Sequence, residues 1–333
     1  MPPNSNYATD LIASTLEIYW SERPSDAVFG ELALWRELAS RARKSKQGGQ
    51  KILVPIMYQK STAVGSYDGY DVLDVTPQQP LTNAEFDWKF YYGTVSIDNP
   101  TQLKNRGPGA IINILKARIA QAEMSLADKL DADMFLDGTG NSSKDVVGLA
   151  LMVDSAGTYG NISRTTYTWW GAQETAVSGV LAIGGSTGMR RSYNDCALGP
   201  TRRTPDFIIT TQPIFEAYEA MMDPYMRFTN QSDVNAVFTR QNLMFRDAKM
   251  FWDDYCQTQT LYMLNSKHMS IVELDSREGS VDQGDDRDTG SFRLKPSQTP
   301  INQDAEVSQF FWAGNLVADN CKRLGKLTGV TNT

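Results

Sequence analysis

The chain has a single histidine, His268, set between Lys267 and Met269. Any Ser–His–Asp or Cys–His nucleophilic site would have to be built on it, and no nucleophile-elbow sequence accompanies it. One histidine excludes a three-histidine zinc site, and neither HExxH nor GxGxxG occurs. Cys196, Cys256 and Cys321 are odd in number, far apart and never in a CxxC pair. That argues against a disulfide framework or a zinc site and suits a reducing compartment. Asp253 and Asp254 are adjacent, and neighbours in a strand point to opposite faces, so two-carboxylate chemistry would need partners from distant segments. Residues 277–289 carry Glu278, Asp282, Asp285, Asp286 and Asp288, but not in the alternating order of a calcium loop, and read as a solvated acidic loop. Gly184-Gly185-Ser186-Thr187-Gly188, followed by Arg190 and Arg191, is a run that can cradle phosphate. It lacks the Lys-Ser/Thr of a P-loop and reads as a flexible loop. Nothing here calls for a catalytic, cofactor-binding or metal site, and the chain reads as a non-enzyme.

The elements that would position such residues are more informative. Residues 110–136 contain no Gly or Pro and are punctuated by Gly107-Pro108-Gly109 before and Gly138 and Gly140 after. Ile112, Leu115, Ile119, Ala122, Leu126, Leu130 and Met134 recur at three- and four-residue steps. This predicts one amphipathic helix roughly 40 Å long, with Lys116, Arg118, Glu123, Lys129 and Asp133 on its other faces.

Ahead of it, residues 1–50 behave as an arm with helical spacing at 7–20 and 27–43, closed by a flexible Gly48-Gly49 joint. Arg36, Arg41, Arg43, Lys44, Lys46 and Lys51 form the one basic cluster of an acidic protein. It reads either as a solvated helix end or as a hook for an acidic partner or a polynucleotide. Ile52, Val54 and Ile56 alternate, as do Phe86, Trp88, Phe90 and Tyr92, which predicts two strands. Residues 61–80 between them are too many for a tight turn, so the pair reads as a projecting ribbon. A two-stranded ribbon is barely stable alone in water, and a partner is implied.

Beyond the long helix, 175–183 is a helix candidate and 206–210 a strand. Residues 212–222 form a helix opened by Pro213, and strands follow at 243–252, 258–265, 269–274 and 307–317. Residues 320–333 read as a polar end. With 333 residues, 41% hydrophobic and 21% charged, the composition is ordinary for a globular chain. Net charge of −7 disfavours a dedicated nucleic-acid binder. No run of about 18 apolar residues or signal-peptide start is present, so no membrane partner is expected.

The order of arm, Gly-Gly joint, ribbon, aromatic strand, long helix and mixed body resembles the major capsid proteins of tailed bacteriophages, the HK97-like fold. Gly48-Gly49-Gln50-Lys51-Ile52-Leu53-Val54-Pro55-Ile56 is similar to the family's entry into its extended loop. Residues 88–97 running into Pro100 resemble the long strand before the spine helix. Asp137-Gly138-Thr139-Gly140 through Gly148-Leu149 resembles the exit into the axial domain. Trp312-Ala313-Gly314-Asn315-Leu316-Val317 with Leu324-Gly325-Lys326-Leu327-Thr328-Gly329 resembles the C-terminal return.

The resemblance implies an α+β capsid fold. Its expected parts are an arm at 1–50, an extended β-ribbon loop at 51–85, and a peripheral domain at 86–139 with spine helix 110–136. An axial domain at 140–304 and a C-terminal return at 305–333 complete it. It further implies a homo-oligomer of pentamers and hexamers in the virion, assembled in the host cytoplasm, with DNA enclosed but not gripped and no cofactor. Portal and decoration proteins are further possible partners. About fifty residues before the loop are too few for a fused scaffolding segment, so a separate scaffolding protein or none is expected. The expected inter-subunit contacts are Tyr67, Tyr70 and Asp71 on the ribbon and Arg36, Arg41, Arg43, Lys44 and Lys46 on the arm. An encapsulin-type shell enclosing protein cargo is the alternative within the fold, and a soluble enzyme with a carboxylate site the alternative outside it.

Overall fold

The computed structural model describes residues 33–46, 48–104, 114–197, 203–222, 243–274, 293–301 and 303–331. The helix expected at 7–20 and the acidic loop at 277–289 lie outside these residues. The chain divides into two compact units. One comprises Met1–Phe29, Gly93–Ser125 and Leu294–Phe310; the other comprises Gly30–Tyr92, Leu126–Arg293 and Phe311–Thr333.

In the larger unit, α1 (Ala33–Arg41) buries Leu34 and Leu38, one turn apart, and closes with an Arg41–Glu37 ion pair at 2.9 Å. The helix was expected to run on to Arg43. It stops because Ala42 gives its carbonyl to the Ile271 amide at 2.9 Å, and β1 (Arg43–Lys46) then pairs in parallel with β12 (Met269–Leu274). An open sheet edge thus overrides helix propensity in a basic segment. Next, β2 (Ile52–Met57) and β3 (Leu81–Phe86) form the antiparallel ribbon, with Ile52 opposite Phe86 and Met57 opposite Leu81.

The long strand expected at 88–97 is β4 (Lys89–Asp98), but the aromatic run 86–92 is not the second ribbon strand: that is β3, and the two are separated at Asp87-Trp88, where the Trp88 indole donates to the Gly49 carbonyl at 2.8 Å. The inward face of β4 is Tyr91, Val95 and Ile97, while Phe90 and Tyr92 are exposed.

The smaller unit holds the far half of β4, then α2 (Asn99–Lys104) and the first part of α3 (Ile114–Met134). Asp98 caps α2: one carboxylate oxygen accepts the Thr101 amide at 3.0 Å and the Thr101 hydroxyl at 2.6 Å, which holds its pKa below the usual value. The same unit contains most of β13 (Arg293–Gln298) and the start of β14 (Ala305–Ala318). Asn99 is tied to Asp304 by two bonds of 3.1 Å.

The described part of the long helix is 21 residues, about 31 Å; residues 110–113 lie outside the described residues. Within the larger unit it buries Leu126, Leu130 and Met134, as the stripe predicts. It also buries Asp131 and Asp133, and Asp133 therefore does not belong to the solvated face expected for it.

Past the helix come α4 (Leu149–Met152) and a small hairpin of β5 (Thr158–Tyr159) and β6 (Ile162–Ser163), turned through Gly160 and Asn161 at φ of 59° and 63°. The main sheet is β7 (Gln173–Val180), β8 (Phe207–Thr210), β9 (Met244–Phe245), β10 (Ala248–Trp252), β11 (Leu261–Leu264) and β15 (Gly325–Thr331). Their order is β7-β15-β11-β8-β10-β9. The helices α5 (Met189–Cys196) and α6 (Gln212–Met222) contribute Met189, Tyr193, Ile214, Phe215 and Tyr218 to one core with Ile208, Met250, Leu261, Met263 and Leu327.

Two expectations fail here. Residues 175–183 are not helical: β7 alternates half-buried and exposed positions because it pairs in parallel with β15. The polar end contains that partner strand, whose Leu327 and Val330 are fully buried. In the other sheet, β12 lies between β1 and β14, with Met269 opposite Ala318. Among the described residues no helix is long and apolar enough to cross a membrane.

Candidate functional site

The ribbon carries the most exposed apolar surface described. Between β2 and β3, residues 58–80 have no helix or strand. Tyr70 and Val72 are fully exposed at 105% and 99%, and Val64, Tyr67, Leu73 and Val75 are open as well. On the strands themselves Met57 and Leu81 are open too. Surface of this kind is not left uncovered in solution without a reason.

Small polar clasps shape the loop. Tyr58 donates its amide to the Pro80 carbonyl at 3.0 Å, Thr62 its amide to the Gln78 side chain at 2.9 Å, and Asp71 accepts the Asp68 amide at 2.9 Å. Asp74 is held below the usual carboxylate range by the Thr76 hydroxyl and amide. Lys51 and Glu85 pair across the ribbon at 3.0 Å, and that bond raises the lysine pKa.

The base of the ribbon is fixed to the body. Tyr58 stacks on Trp169 with ring centres 5.5 Å apart. The β5–β6 turn presses against β3, where Glu85 donates its amide to the Gly160 carbonyl at 3.0 Å. A Cβ on Gly160 would lie 2.8 Å from Phe86 and 2.9 Å from Ala84, so only glycine fits that turn. Beside it opens a cleft of about 350 Å³ lined by Met57, Tyr58, Trp169, His268, Asp319 and Lys322 among others. The single histidine is here: His268 Nδ1 lies 2.8 Å from Asp319 Oδ1, with no serine or cysteine nucleophile among the lining residues.

Of the expected contact residues, Tyr67, Tyr70 and Asp71 all lie on the exposed loop. Arg36 and Arg41 are exposed on α1, with Arg41 taken by Glu37 and 3.9 Å from Asp206. Arg43, Lys44 and Lys46 sit in strand β1 rather than at a helix end, and Lys44 is exposed there. The two groups occupy separate elements.

Two buried polar arrangements were not singled out from sequence. Tyr91 donates its hydroxyl to Asp133 at 2.8 Å and accepts the buried Val146 amide at 2.9 Å. Burial pushes the Tyr91 pKa far up. Lys129 reaches Asp133 from one turn away at 2.6 Å. Asp131 accepts the Trp35 amide at 2.7 Å and Asp253 the Leu34 amide at 3.2 Å. Asp253 is 1% exposed whereas Asp254 is solvated, so the adjacent pair does split between two sides. The buried member joins a carboxylate from a distant segment. The one hint in the sequence is that Asp131 and Asp133 lie between Leu130 and Met134 of the apolar stripe.

No family model and no curated protein matches the sequence. Solved structures do, along the whole chain. The capsid asymmetric unit of cyanophage A-1(L) superposes with a TM-score of 0.70 at 17% identity, over 97% of this chain and 99% of that one. The chain has the HK97-like capsid fold. The same α+β fold relates it to the capsid of the native GTA particle, with a TM-score of 0.60 at 11% identity over 99% and 100% of the chains. It also relates it to the holo-SrpI encapsulin complex of Synechococcus elongatus PCC 7942, with a TM-score of 0.61 at 10% identity over 97% and 96%.

Proposed function

We propose that the chain is the major structural subunit of an icosahedral bacteriophage capsid, forming pentamers and hexamers that enclose the DNA genome. The observation that carries the reading is the full-length correspondence with a phage capsid chain. The ribbon supports it: its apolar tip has no cover within the described chain and suits a surface on a neighbouring copy. Function then lies in interfaces, with Tyr67, Tyr70 and Asp71 meeting a neighbour, and Arg36, Arg41, Arg43, Lys44 and Lys46 meeting an acidic neighbour or DNA. The arm is residues 1–50, the extended loop 51–85, the peripheral domain 86–139 and the axial domain 140–304; of the expected return at 305–333, β15 joins the sheet of the axial residues rather than the peripheral domain. The shell is assembled in the bacterial cytoplasm and resides in the virion.

The chain expressed alone, sedimented and viewed by negative-stain microscopy tests this. Closed shells or capsomer rings are expected, and deletion of residues 66–74 should leave a folded subunit that closes no shells. Normal shells from that deletion refute the role of the ribbon. The encapsulin superposition favours a second reading, a shell around protein cargo. Particles from the native source separate the two: nuclease-protected DNA supports the phage head, and a stoichiometric enclosed protein supports the compartment.

A further inference from the structure

The ribbon tip has a charge of its own. Residues 61–80 carry Asp68, Asp71 and Asp74 and contain no Lys or Arg. Interleaved with these acids are Tyr67, Tyr70, Val72, Leu73 and Val75, all open. A surface that is both apolar and anionic is complemented by one that is apolar and carries a free cation.

The cleft at the ribbon base is such a surface. At about 350 Å³ it is at the small end for a ligand pocket and has room for one large side chain. Met57, Tyr58 and Trp169 line it, with Tyr58 stacked on Trp169 and Trp169 6.1 Å from the exposed Tyr167 ring. Lys322 lines it too, is exposed, and makes no ion pair or side-chain hydrogen bond among the described residues. The acid of the cleft, Asp319, is held by His268 at 2.8 Å. Within one chain tip and cleft do not meet: Tyr70 is fully exposed, beyond the Tyr58–Pro80 and Thr62–Gln78 clasps that hold the two limbs of the loop together.

We propose that the ribbon tip of one copy seats in the ribbon-base cleft of the next copy, with Tyr70 entering beside Tyr58 and Trp169 and Asp71 pairing with Lys322. This contact rests on the shell reading, which supplies the neighbouring copies; the receiving site and the ion pair are added here. Tyrosine suits the cleft because its ring fills an apolar slot while its hydroxyl stays at a polar rim, which Asn320 provides. The exposed Asp71–Lys322 pair adds little strength and acts on the choice of partner and register.

Each copy carries one tip and one cleft, so the contact is heterologous. Such a contact repeats head to tail until its rotation closes a ring, which is what a pentamer or hexamer requires. Met57 ends β2 and Tyr58 follows it, so the cleft is partly made of the receiving copy's own ribbon. A copy therefore receives a neighbour only once its own ribbon is set on the body.

Zero-length carbodiimide coupling of the assembled wild-type chain reads the pair, since it joins a lysine to a carboxylate only in contact. With isotope-labelled and unlabelled chains mixed before assembly, mass spectrometry should find Asp71–Lys322 peptides that combine the two labels. Lys322→Glu should raise the protein concentration needed for assembly by roughly tenfold or more, because the repulsion recurs at every contact of a ring. Adding Asp71→Lys to the same chain should recover most of that loss. Both positions are exposed, so the unassembled variants should keep the wild-type urea midpoint, which separates lost assembly from lost folding. Closed particles in which Lys322 couples to another carboxylate, only within its own copy or not at all, or which form as readily with Lys322→Glu, overturn the contact and leave the shell reading standing. Coupled rings that never close into shells overturn the shell reading and leave the contact. A chain that stays monomeric and uncoupled in concentrated solution overturns both.

Discussion

Replacing Tyr91 with phenylalanine removes a single oxygen, and the structure sets what that oxygen is worth. Its hydroxyl satisfies two partners at once, donating to Asp133 at 2.8 Å and accepting the Val146 amide at 2.9 Å, with Tyr91, Asp133 and Val146 all buried. Asp133 keeps Lys129 after the change, so it loses one charge-assisted bond of about 1.5–3 kcal/mol but is not stranded. The Val146 amide is stranded, at about 1–3 kcal/mol, and no water enters unless the packing around Trp312, 5.7 Å from the Tyr91 ring, gives way. The ring stays, so the cavity is close to nothing. Allowing for relaxation, the loss should be about 3 kcal/mol, roughly a hundredfold in the unfolding equilibrium. Urea denaturation of unassembled Tyr91→Phe, followed by near-ultraviolet dichroism, should show a lower midpoint with an unchanged slope. A change under about 0.5 kcal/mol refutes the reasoning, because it would mean that Val146 finds another acceptor at little cost.

Arg164 offers a related test. It is 1% exposed, with its guanidinium 5.0 Å from the Tyr159 ring centre, and it donates to the Leu151 and Met152 carbonyls at 2.6 and 2.7 Å. Arg164→Met should cost about 2–4 kcal/mol by the same denaturation, since the carbonyls lose charged donors while a buried charge is relieved. Gly160→Ala, which meets Phe86 and Ala84 and must keep φ near 59°, should cost about 1–3 kcal/mol. Its signature is lost exchange protection in β2 and β3 while β8 and β11 are unchanged.

The long helix, β2, α6 and β12 were legible because each keeps one period over its whole length and is bounded by glycine, proline or a polar turn. What was not legible depends on partners remote in sequence. Residues 43–46 look like a helix end until β12 offers an edge, and residues 175–183 look weakly helical until β15 pairs in parallel with 173–180. Strand β4 hides its inward face because Phe90 and Tyr92 are large and apolar yet exposed, leaving Tyr91 as the buried aromatic. Asp131, Asp133 and Asp253 look like ordinary surface acids, since a buried acid differs only in the donors folded against it. The ribbon residues were marked because a long polar-aromatic loop between short strands has nothing of its own to pack on.

The place of β15 inside the main sheet bears on how a copy is made. Its neighbours are β7 and β11, so Gly325 pairs back to Gln173 and Leu327 to Leu261. At about 5–20 residues per second, a ribosome finishes β7 about 7–30 s before it delivers the strand that β7 needs. Through that interval β7 and β11 show open edges to every other nascent copy nearby. A chain cut short before residue 325 never covers them, so premature termination should yield sticky, proteolysed fragments. Translation thus acts as a proofreading step, admitting to the sheet only copies read through to residue 331.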